Sequence, residues 1–195
     1  VKAGFGSPNS LLGMASYDHV ANEKFQWGID LRHLSANNKK IELQKFSDTR
    51  GRIDGTYLLN EHTQVDGYID GHYETVYFYG AESIPSNPDA LKRHYNRYDA
   101  HFSIAKPYSP ETSFSYKAFL QYLTDSDDLG SRETGFKAGG EVKSALGKAA
   151  YPLGIRVMAD LSKLVHTEEH SVNNLLIEPY LEYYLGDLSL HLGGI

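Results

Sequence analysis

The stretch "AYPLGIRVMADLSKL", residues 150–164, decides the fold prediction. From Tyr151 onward, every second residue is apolar or aromatic: Tyr, Leu, Ile, Val, Ala, Leu. The intervening residues, from Pro152, are Pro, Gly, Arg, Met, Asp and Ser. Because successive side chains of a strand point to opposite faces of a sheet, a period of two predicts a β-strand with one apolar and one polar face. The apolar face must then be covered either by a protein core or by lipid.

The same alternation recurs along most of the chain. In "VDGYIDGHYETVYFY" (65–79), apolar and aromatic residues fall on odd positions, whereas Asp66, Asp70, His72 and Glu74 fall on even positions. Further copies of the pattern lie at 25–31, 97–105, 113–123, 135–146 and 188–192. The longer segments match the 9–11 residues that cross a bilayer as a tilted strand, and they exceed the five or six that are usual in soluble sheets. No segment has a helical period, so the sequence predicts almost no helix and one all-β domain over residues 1–195.

Composition excludes several classes of function. The 195 residues carry a net charge of -6, so the chain has no basic footprint for nucleic acid. There is no cysteine, which rules out disulfides, a thiol nucleophile and thiolate metal sites. No run of about 18 apolar residues is present, so no membrane-spanning helix is predicted.

The predicted links between strands suggest two different ends of a sheet. Short links are predicted at 21–24, 60–62, 108–111, 146–148 and 186–187, and longer ones at roughly 36–51, 80–94, 124–133 and 165–173. If residues 1–19 form one strand, short and long links alternate, as in outer-membrane barrels with short periplasmic turns and long external loops. Aromatic residues near the predicted strand ends suit the two lipid–water interfaces; they are Phe25, Trp27, Tyr57, Tyr77, Tyr79, Tyr151, Tyr183 and Tyr184.

These patterns predict an all-β, antiparallel, up-and-down transmembrane β-barrel with about ten strands in view. Both ends of the chain begin or stop within the pattern, so we interpret it as part of a larger barrel. Two places fit less well: Pro179 should mark a bulge or an unpaired side of its strand, and "GFGSPNSLLG" (4–13) would break the alternation of links if it contains a turn. The alternative fold is a soluble β-sandwich that binds carbohydrate through exposed tyrosines.

The polar positions of the predicted strands form a ladder of charged side chains that would face the interior of the barrel. Such a ladder could bind solute, or its charges could pair across strands as part of the wall. A further alternative is a hydrolase within the barrel that uses Asp and His residues and depends on Asp70 or Asp99. We predict no catalytic residue and take as binding candidates Asp66, Asp70, His72, Glu74, Arg97, Asp99, His101, Lys117, Lys137, Glu141, Lys143, Arg156, Asp160, Glu178 and Glu182.

Two short polar segments could bind metal, but neither matches a known pattern closely. "HTEEH" (166–170) places two histidines four residues apart, yet it lies between strands and its order differs from the H-E-x-x-H pattern of metalloproteases. "DSDD" (125–128) lacks the glycine and the distal glutamate of an EF-hand loop. Both are interpreted as solvated loops, so the sequence predicts no metal and no cofactor.

Four segments carry a family resemblance: "GFGSPNSLLG", "FQWGIDLRHLSAN", "KFSDTRGRIDGTYLL" and "VYFYG". The sequence is similar to a group of Bacteroidota outer-membrane barrel proteins that are described as TonB-dependent receptor-like or as outer-membrane proteins. In that group, a strand ending in His-Leu-Ser is followed by a loop and by a Ser-Asp segment that enters the next strand. Here these positions are His33, Leu34, Ser35, Ser47 and Asp48. The resemblance covers about the first 80 residues, which contain no TonB box and no plug domain.

The resemblance and the strand pattern together imply a place in the bacterial outer membrane. We expect a non-catalytic role in transport or surface assembly, with a polar interior and long external loops. The expected partners are the lipid bilayer and other outer-membrane or periplasmic proteins, and no nucleic acid.

Overall fold

The computed structural model describes residues 1–7, 9–38, 40–41, 44–77, 87, 91–107, 114–145, 152–185 and 188–193. Its strands form one antiparallel sheet in which each strand pairs with the next along the chain. The strands are β1 Lys2–Gly6, β2 Ser10–Asn22, β3 Phe25–Asn37, β4 Lys45–Asn60, β5 Thr63–Tyr77, β6 Lys92–Lys106, β7 Phe114–Asp127, β8 Arg132–Ala145, β9 Pro152–Val165, β10 Glu169–Leu185 and β11 Leu188–Gly193. The predicted all-β antiparallel class, with almost no helix, is therefore confirmed. Within these ranges, no helix is long and apolar enough to span a membrane.

The register of the strands gives the sheet two chemically different faces. Residues paired directly across neighbouring strands share a face. Ile53 of β4 pairs with Ile29 of β3 and with Ile69 of β5. We call the side that carries these three residues the apolar face and the opposite side the polar face. The alternation read from the sequence thus holds along paired strands, because the register keeps like residues opposite one another.

The two ends of the strands also need names. We call the end that carries the links β1–β2, β3–β4, β5–β6, β7–β8 and β9–β10 the upper end, and the opposite end the lower end. The link between β5 and β6, residues 78–91, is at the upper end and is the longest stretch between consecutive strands. Tight links join β2 to β3 and β4 to β5 at the lower end, as predicted at 21–24 and 60–62.

The prediction that residues 1–19 form one strand is wrong. Residues 7–9 separate β1 from β2, and Gly6 pairs with Ser10 to close the hairpin. Asn9 has a positive φ of 43°, a conformation that asparagine adopts more readily than most residues with a side chain. This turn falls within "GFGSPNSLLG", and the described residues form eleven strands, where about ten were predicted.

The predicted alternation of short and long links is also wrong, because two segments predicted as long loops are tight hairpins. Residues 128–131 join β7 to β8, and residues 166–168 join β9 to β10. In the first hairpin, Asp127 Oδ1 accepts hydrogen bonds from the backbone N–H of Leu129 and of Ser131, each at 2.9 Å. Gly130 supplies the positive φ of 89° that closes the turn. Polar residues that looked like a long loop therefore build a turn and extend both strands.

Several predicted features lie outside the described residues. They are Tyr79, Tyr151 and the turns at 108–111, 146–148 and 186–187. Pro179, by contrast, is described and pairs with Ile155 in the register between β9 and β10, which runs without a bulge. The register with β11 covers only Tyr180 to Leu185, so Pro179 takes no part in the described pairs on that side.

The sheet is open among the described residues. β1 pairs only with β2, and β11 pairs only with β10, so both edges lack a second neighbour there. The surface area accessible to solvent is 13436 Å², whereas a compact monomer of this mass would expose about 9,300 Å². The excess shows that the sheet is not wrapped around a core of its own.

The apolar side chains of the sheet are more exposed than those of a water-soluble protein. Most of the exposed large hydrophobic side chains lie on the apolar face; Leu153, Ile155 and Val157 of the opening stretch are 43%, 52% and 41% exposed. The only buried hydrophobic residue among the described ones is Tyr180, at 2% exposure. Soluble monomers rarely leave contiguous apolar patches of more than a few hundred Å² uncovered. No second sheet packs against this face in the described part of the chain, as a β-sandwich would require.

Candidate functional site

The polar face is the candidate site, because the register places all fifteen predicted binding residues on it. The pairs Asp70–Asp99, His72–Arg97, Lys117–Glu141, Lys137–Asp160, Glu141–Arg156 and Arg156–Glu178 are directly opposite one another across neighbouring strands. These residues fall into three groups along the sheet. One group lies on β8–β10, one on the middle of β4–β7, and one at the upper end of β5–β8.

The group on β8–β10 is centred on Arg156. Its guanidinium donates to Glu141 through Nε at 3.1 Å and Nη2 at 3.0 Å, and to Glu178 through Nη1 at 3.0 Å. Lys143 binds Glu182 at 2.8 Å and lies 3.5 Å from Glu141. Three carboxylates and two cations therefore neutralise most of one another's charge in a half-buried setting, which is how buried charges are tolerated.

Tyr180 completes this group, and we call these six residues, Glu141, Lys143, Arg156, Glu178, Tyr180 and Glu182, the Tyr180 cluster. The ring of Tyr180 lies across Gly154, its direct partner on β9. A Cβ atom at Gly154 would come within 2.2 Å of Tyr180 Cζ, so only glycine leaves room for the ring. The cations of Lys143 and Arg156 lie 5.7 Å and 5.5 Å from the ring centroid, within range of a cation–π interaction.

A second aromatic ring covers a cross-strand glycine on the polar face. Phe119 of β7 lies across its partner Gly139 of β8, where a Cβ atom would approach Phe119 Cε1 to 2.6 Å. Aromatic rings that cover cross-strand glycines shield the backbone and fix the register. Next to this pair, Lys137 binds Asp160 at 3.2 Å across β8 and β9.

The middle group is a network of neutral donors around carboxylates. Asp99 accepts a hydrogen bond from Tyr68 Oη at 3.2 Å and from Gln121 Nε2 at 3.0 Å. His101 stacks on Tyr68 with ring centroids 5.3 Å apart. Asp70 lies directly opposite both Asp99 and Arg52 in the register, so two carboxylates adjoin at this point of the sheet. Like charges directly opposite are destabilising, and their presence favours a role other than stability.

Asp66 extends the same network toward the lower end. It accepts hydrogen bonds from Thr56 Oγ1 at 2.7 Å and from Gln64 Nε2 at 3.0 Å. Lys117, at the same end, lies opposite Glu141 of β8 and Ala105 of β6. The structure therefore brings Lys117 beside the Tyr180 cluster rather than beside the aspartates.

The third group lines a concavity of about 370 Å³ at the upper end. His72, Glu74 and Arg97 contribute to its wall together with Asp125 and Glu133. Arg97 holds Asp125 in a bidentate pair, with Nε–Oδ1 at 2.8 Å and Nη2–Oδ2 at 2.9 Å. Carboxylates outnumber cations in this wall, and its one arginine is already engaged by Asp125, so the concavity itself is acidic.

Asp127 forms the rim of the concavity, at the hairpin between β7 and β8. Partial desolvation raises the pKa of its carboxyl, but the backbone N–H groups of Ser131 and Leu129 outweigh that effect and hold the pKa below its ordinary value. Asp127 therefore stays ionised at neutral pH and keeps the turn closed.

Two contacts bear on the hydrolase alternative. His72 Nε2 lies 3.2 Å from Asp48 Oδ2, and Ser131 Oγ lies 2.7 Å from His166 Nδ1. The Asp48–His72 pair lies toward the upper end, where that alternative places its Asp and His residues. Asp99, one of the two aspartates on which the alternative depends, accepts hydrogen bonds from Tyr68 and Gln121, and no hydrogen bond joins it to a histidine among the described residues. Among the described residues, no group of three or more His, Asp or Glu side chains is placed to hold a metal ion.

Sequence reasoning missed several members of the polar face. Tyr180, Gln121, Asp125 and Asp48 bind or flank the predicted residues but were not among the candidates. The alternation in "IEPYLE" already places Tyr180 on the same face as Glu178 and Glu182. A tyrosine on a polar face carries no charge signal, so its central position follows only from the packing against Gly154.

The segments that carry the family resemblance meet on neighbouring strands. Leu34 pairs with Asp48 and Ser35 pairs with Ser47 across β3 and β4. His33 Nδ1 lies 2.8 Å from Thr49 Oγ1 in the same register. These residues therefore lie together in the register of β3 with β4 near the upper end.

Comparisons with known proteins found no matching family model, no matching curated protein and no matching solved structure.

Proposed function

We propose that this sheet is part of the wall of an outer-membrane β-barrel, with its apolar face against lipid and its polar face toward a water-filled interior. The role proposed for it is transport or surface assembly, without catalysis. The observation that carries the proposal is the inverted burial: the apolar face is exposed across the full width of the sheet, whereas the charged residues of the opposite face are partly buried and many are paired.

Strand length supports the same function. Strands β2 to β10 have 13 to 17 residues, and a tilted strand needs about 9–11 to cross the hydrocarbon layer. The additional residues reach the headgroup regions on both sides. Trp27, Phe25 and Tyr57 lie near the lower end of the apolar face, where aromatic rings are favoured at a membrane interface.

The odd number of described strands supports the proposal that the sheet is part of a larger barrel. An unpaired edge is very costly in hydrocarbon, since each unsatisfied backbone group there costs several kcal/mol. In a meander of eleven strands, the first and last strands run in the same direction. β1 and β11 therefore cannot join as antiparallel neighbours, and antiparallel closure needs an odd number of further strands between them.

The polar face then determines which solutes pass or bind. The Tyr180 cluster is nearly neutral because its charges are paired, whereas the upper concavity and the adjoining Asp70 and Asp99 are acidic. An interior with this distribution admits neutral and cationic groups more readily than anions. This selectivity is weakened by salt, as it is for any field of partly solvated charges.

Single cysteines test which face meets lipid, since the 195 residues contain none. In the natural full-length chain, a spin label at Ile69 or Leu120 reports on the apolar face, and a label at the next residue, Asp70 or Gln121, reports on the polar face. Once the chain is reconstituted in vesicles, labels at the first two positions should be relaxed by oxygen, which concentrates in hydrocarbon. Labels at the other two should be relaxed by a water-soluble nickel chelate.

The neighbouring positions are matched controls, because each pair shares its depth and its strand. Equal access of the nickel chelate to all four positions would refute the proposal. So would recovery of the chain from cells by washing without detergent. Reversed access, with Asp70 and Gln121 in hydrocarbon, would refute the assignment of the faces.

A further inference from the structure

A belt of basic side chains lies on the apolar-face side of the sheet at its upper end. The alternate positions of β4 toward this end change from Ile53 to Thr49, Ser47 and Lys45, so the apolar band stops before the strand does. On β6 the corresponding positions are His94 and Lys92. At the lower end of the same side, Trp27 and Phe25 of β3 continue to the turn, and the one cation among the described strand residues there is Lys106 of β6.

Two lysines of the belt flank one aromatic ring. Tyr77 pairs directly with Lys92, and Lys45 Nζ lies 4.1 Å above the centroid of the Tyr77 ring. The three residues therefore lie at the same level on three adjacent strands. Two strand spacings separate the lysine backbones, or about 10 Å.

The belt continues on β8 and β9 with Arg132 and Lys163. Arg132 lies opposite Ser126 of β7 and Val165 of β9. Lys163 binds Glu169 at 2.8 Å. Among the described strand residues, Glu169 is the only carboxylate on this side of the upper end. Four cationic side chains thus face one anionic partner.

The cations of the belt differ from most cations of the polar face in their partners. On the polar face, Arg97, Lys137, Lys143 and Arg156 are each ion-paired with a carboxylate of the sheet, whereas Arg32, Arg50 and Lys117 form no such pair among the described residues. In the described part of the chain, no carboxylate forms an ion pair with Lys45, Lys92 or Arg132. These cations are partly exposed at the level where an embedded apolar band gives way to headgroups. Their charge is therefore available to an anion outside the sheet.

We infer that this basic belt binds the phosphate groups of anionic lipids, and that the upper end lies in the leaflet that is richer in them. The inference rests on the proposed function, because the belt meets lipid phosphates only if the apolar face is embedded. Basic residues beside an anionic membrane surface strengthen association about fivefold each. Tyr77, between the two lysines, is the aromatic side chain expected at such an interface.

The test uses the full-length chain in vesicles that contain trace amounts of spin-labelled phosphatidylglycerol or phosphatidylcholine. The measured quantity is the ratio of the association constants of the two labelled lipids with the protein. We expect the unaltered protein to prefer phosphatidylglycerol, and the double variant K45Q/K92Q to reduce that preference by roughly 25-fold. High salt should reduce the preference in the unaltered protein as well.

The matched control is R32Q/R50Q. Arg32 and Arg50 pair with each other across β3 and β4, near the same end of the sheet but on the polar face. Removal of these two charges should leave the preference unchanged. A loss of threefold or less in K45Q/K92Q, or an equal loss in R32Q/R50Q, would overturn the lipid assignment while leaving the barrel proposal standing. A protein that restricts the motion of neither labelled lipid would overturn both.

Discussion

Replacement of Gly154 by alanine should displace the Tyr180 ring and destabilise the sheet. A Cβ atom at this position would lie 2.2 Å from Cζ and 2.5 Å from Oη of Tyr180, far inside van der Waals contact. The neighbouring backbone is held by continuous pairing on both sides of β9, so the ring has to move instead. Tyr180 is the only buried hydrophobic residue among the described ones, so its displacement exposes the most deeply packed large side chain of the sheet.

The size of the effect follows from what the ring loses. A buried tyrosine covers about 150–250 Å², and exposure of roughly 100 Å² of it costs about 2.5 kcal/mol at ~25 cal/mol per Å². Weakening of the two cation–π contacts, at 5.5 Å and 5.7 Å, adds about 0.5–1 kcal/mol. Alanine regains up to about 1 kcal/mol over glycine in a strand. The net loss in the free energy of unfolding is therefore about 2–3 kcal/mol.

Urea titration of the reconstituted full-length protein, followed by heat-modifiable migration on gels, measures this loss. Gly13→Ala is the matched control, since no atom lies within 4 Å of a Cβ atom placed there, and it should change stability by less than about 0.5 kcal/mol. In a Tyr180→Ala background, Gly154→Ala should cost little, because the clash is gone. An equal cost of Gly154→Ala with and without Tyr180 would refute the packing argument.

Three further changes test other parts of the structure. Leu120→Lys should lower the free energy of unfolding in a bilayer by about 2–4 kcal/mol, whereas Gln121→Lys should change it little. Urea titration in vesicles measures both, and equal effects would contradict the embedded apolar face. Arg156→Met should lower the free energy of unfolding by about 1–2 kcal/mol, because Glu141 and Glu178 both lose their cation. Addition of Glu141→Gln should restore part of this loss in the same titration, and no recovery would count against the ion network. Asp127→Ala should cost about 1 kcal/mol at neutral pH. Because the pKa of Asp127 is lower in the folded state than in the unfolded state, its contribution to stability is present above the unfolded pKa and disappears as pH falls through the folded pKa. A loss of stability in Asp127→Ala that persists in acid would refute this assignment.

The loop pattern shows where sequence reasoning about this chain was weakest. The segment 124–133 contains three aspartates, two serines and one glycine, and that composition is shared by long loops and by tight turns. The distinction came from two hydrogen bonds to Asp127 and from the backbone conformation of Gly130, neither of which composition encodes. The separation of β1 from β2 at Asn9 has the same cause.

What the sequence determined by itself is the identity of the two faces. Side chains alternate along a strand with a period of two, so the residues around Ile155 and those around Arg156 could be assigned to opposite sides without coordinates. The assignment extends to all fifteen polar candidates, because antiparallel pairing keeps alternate residues on one side.

Only the tertiary structure decided which residues on a face meet. The register of three strands pairs Arg156 with Glu141 and Glu178. The same register places the Tyr180 ring across Gly154. A shift of one residue in either pairing would exchange every contact and place the charges on the other side. Register depends on many small terms spread over neighbouring strands and turns, so it is a property of the assembled sheet and not of any one segment.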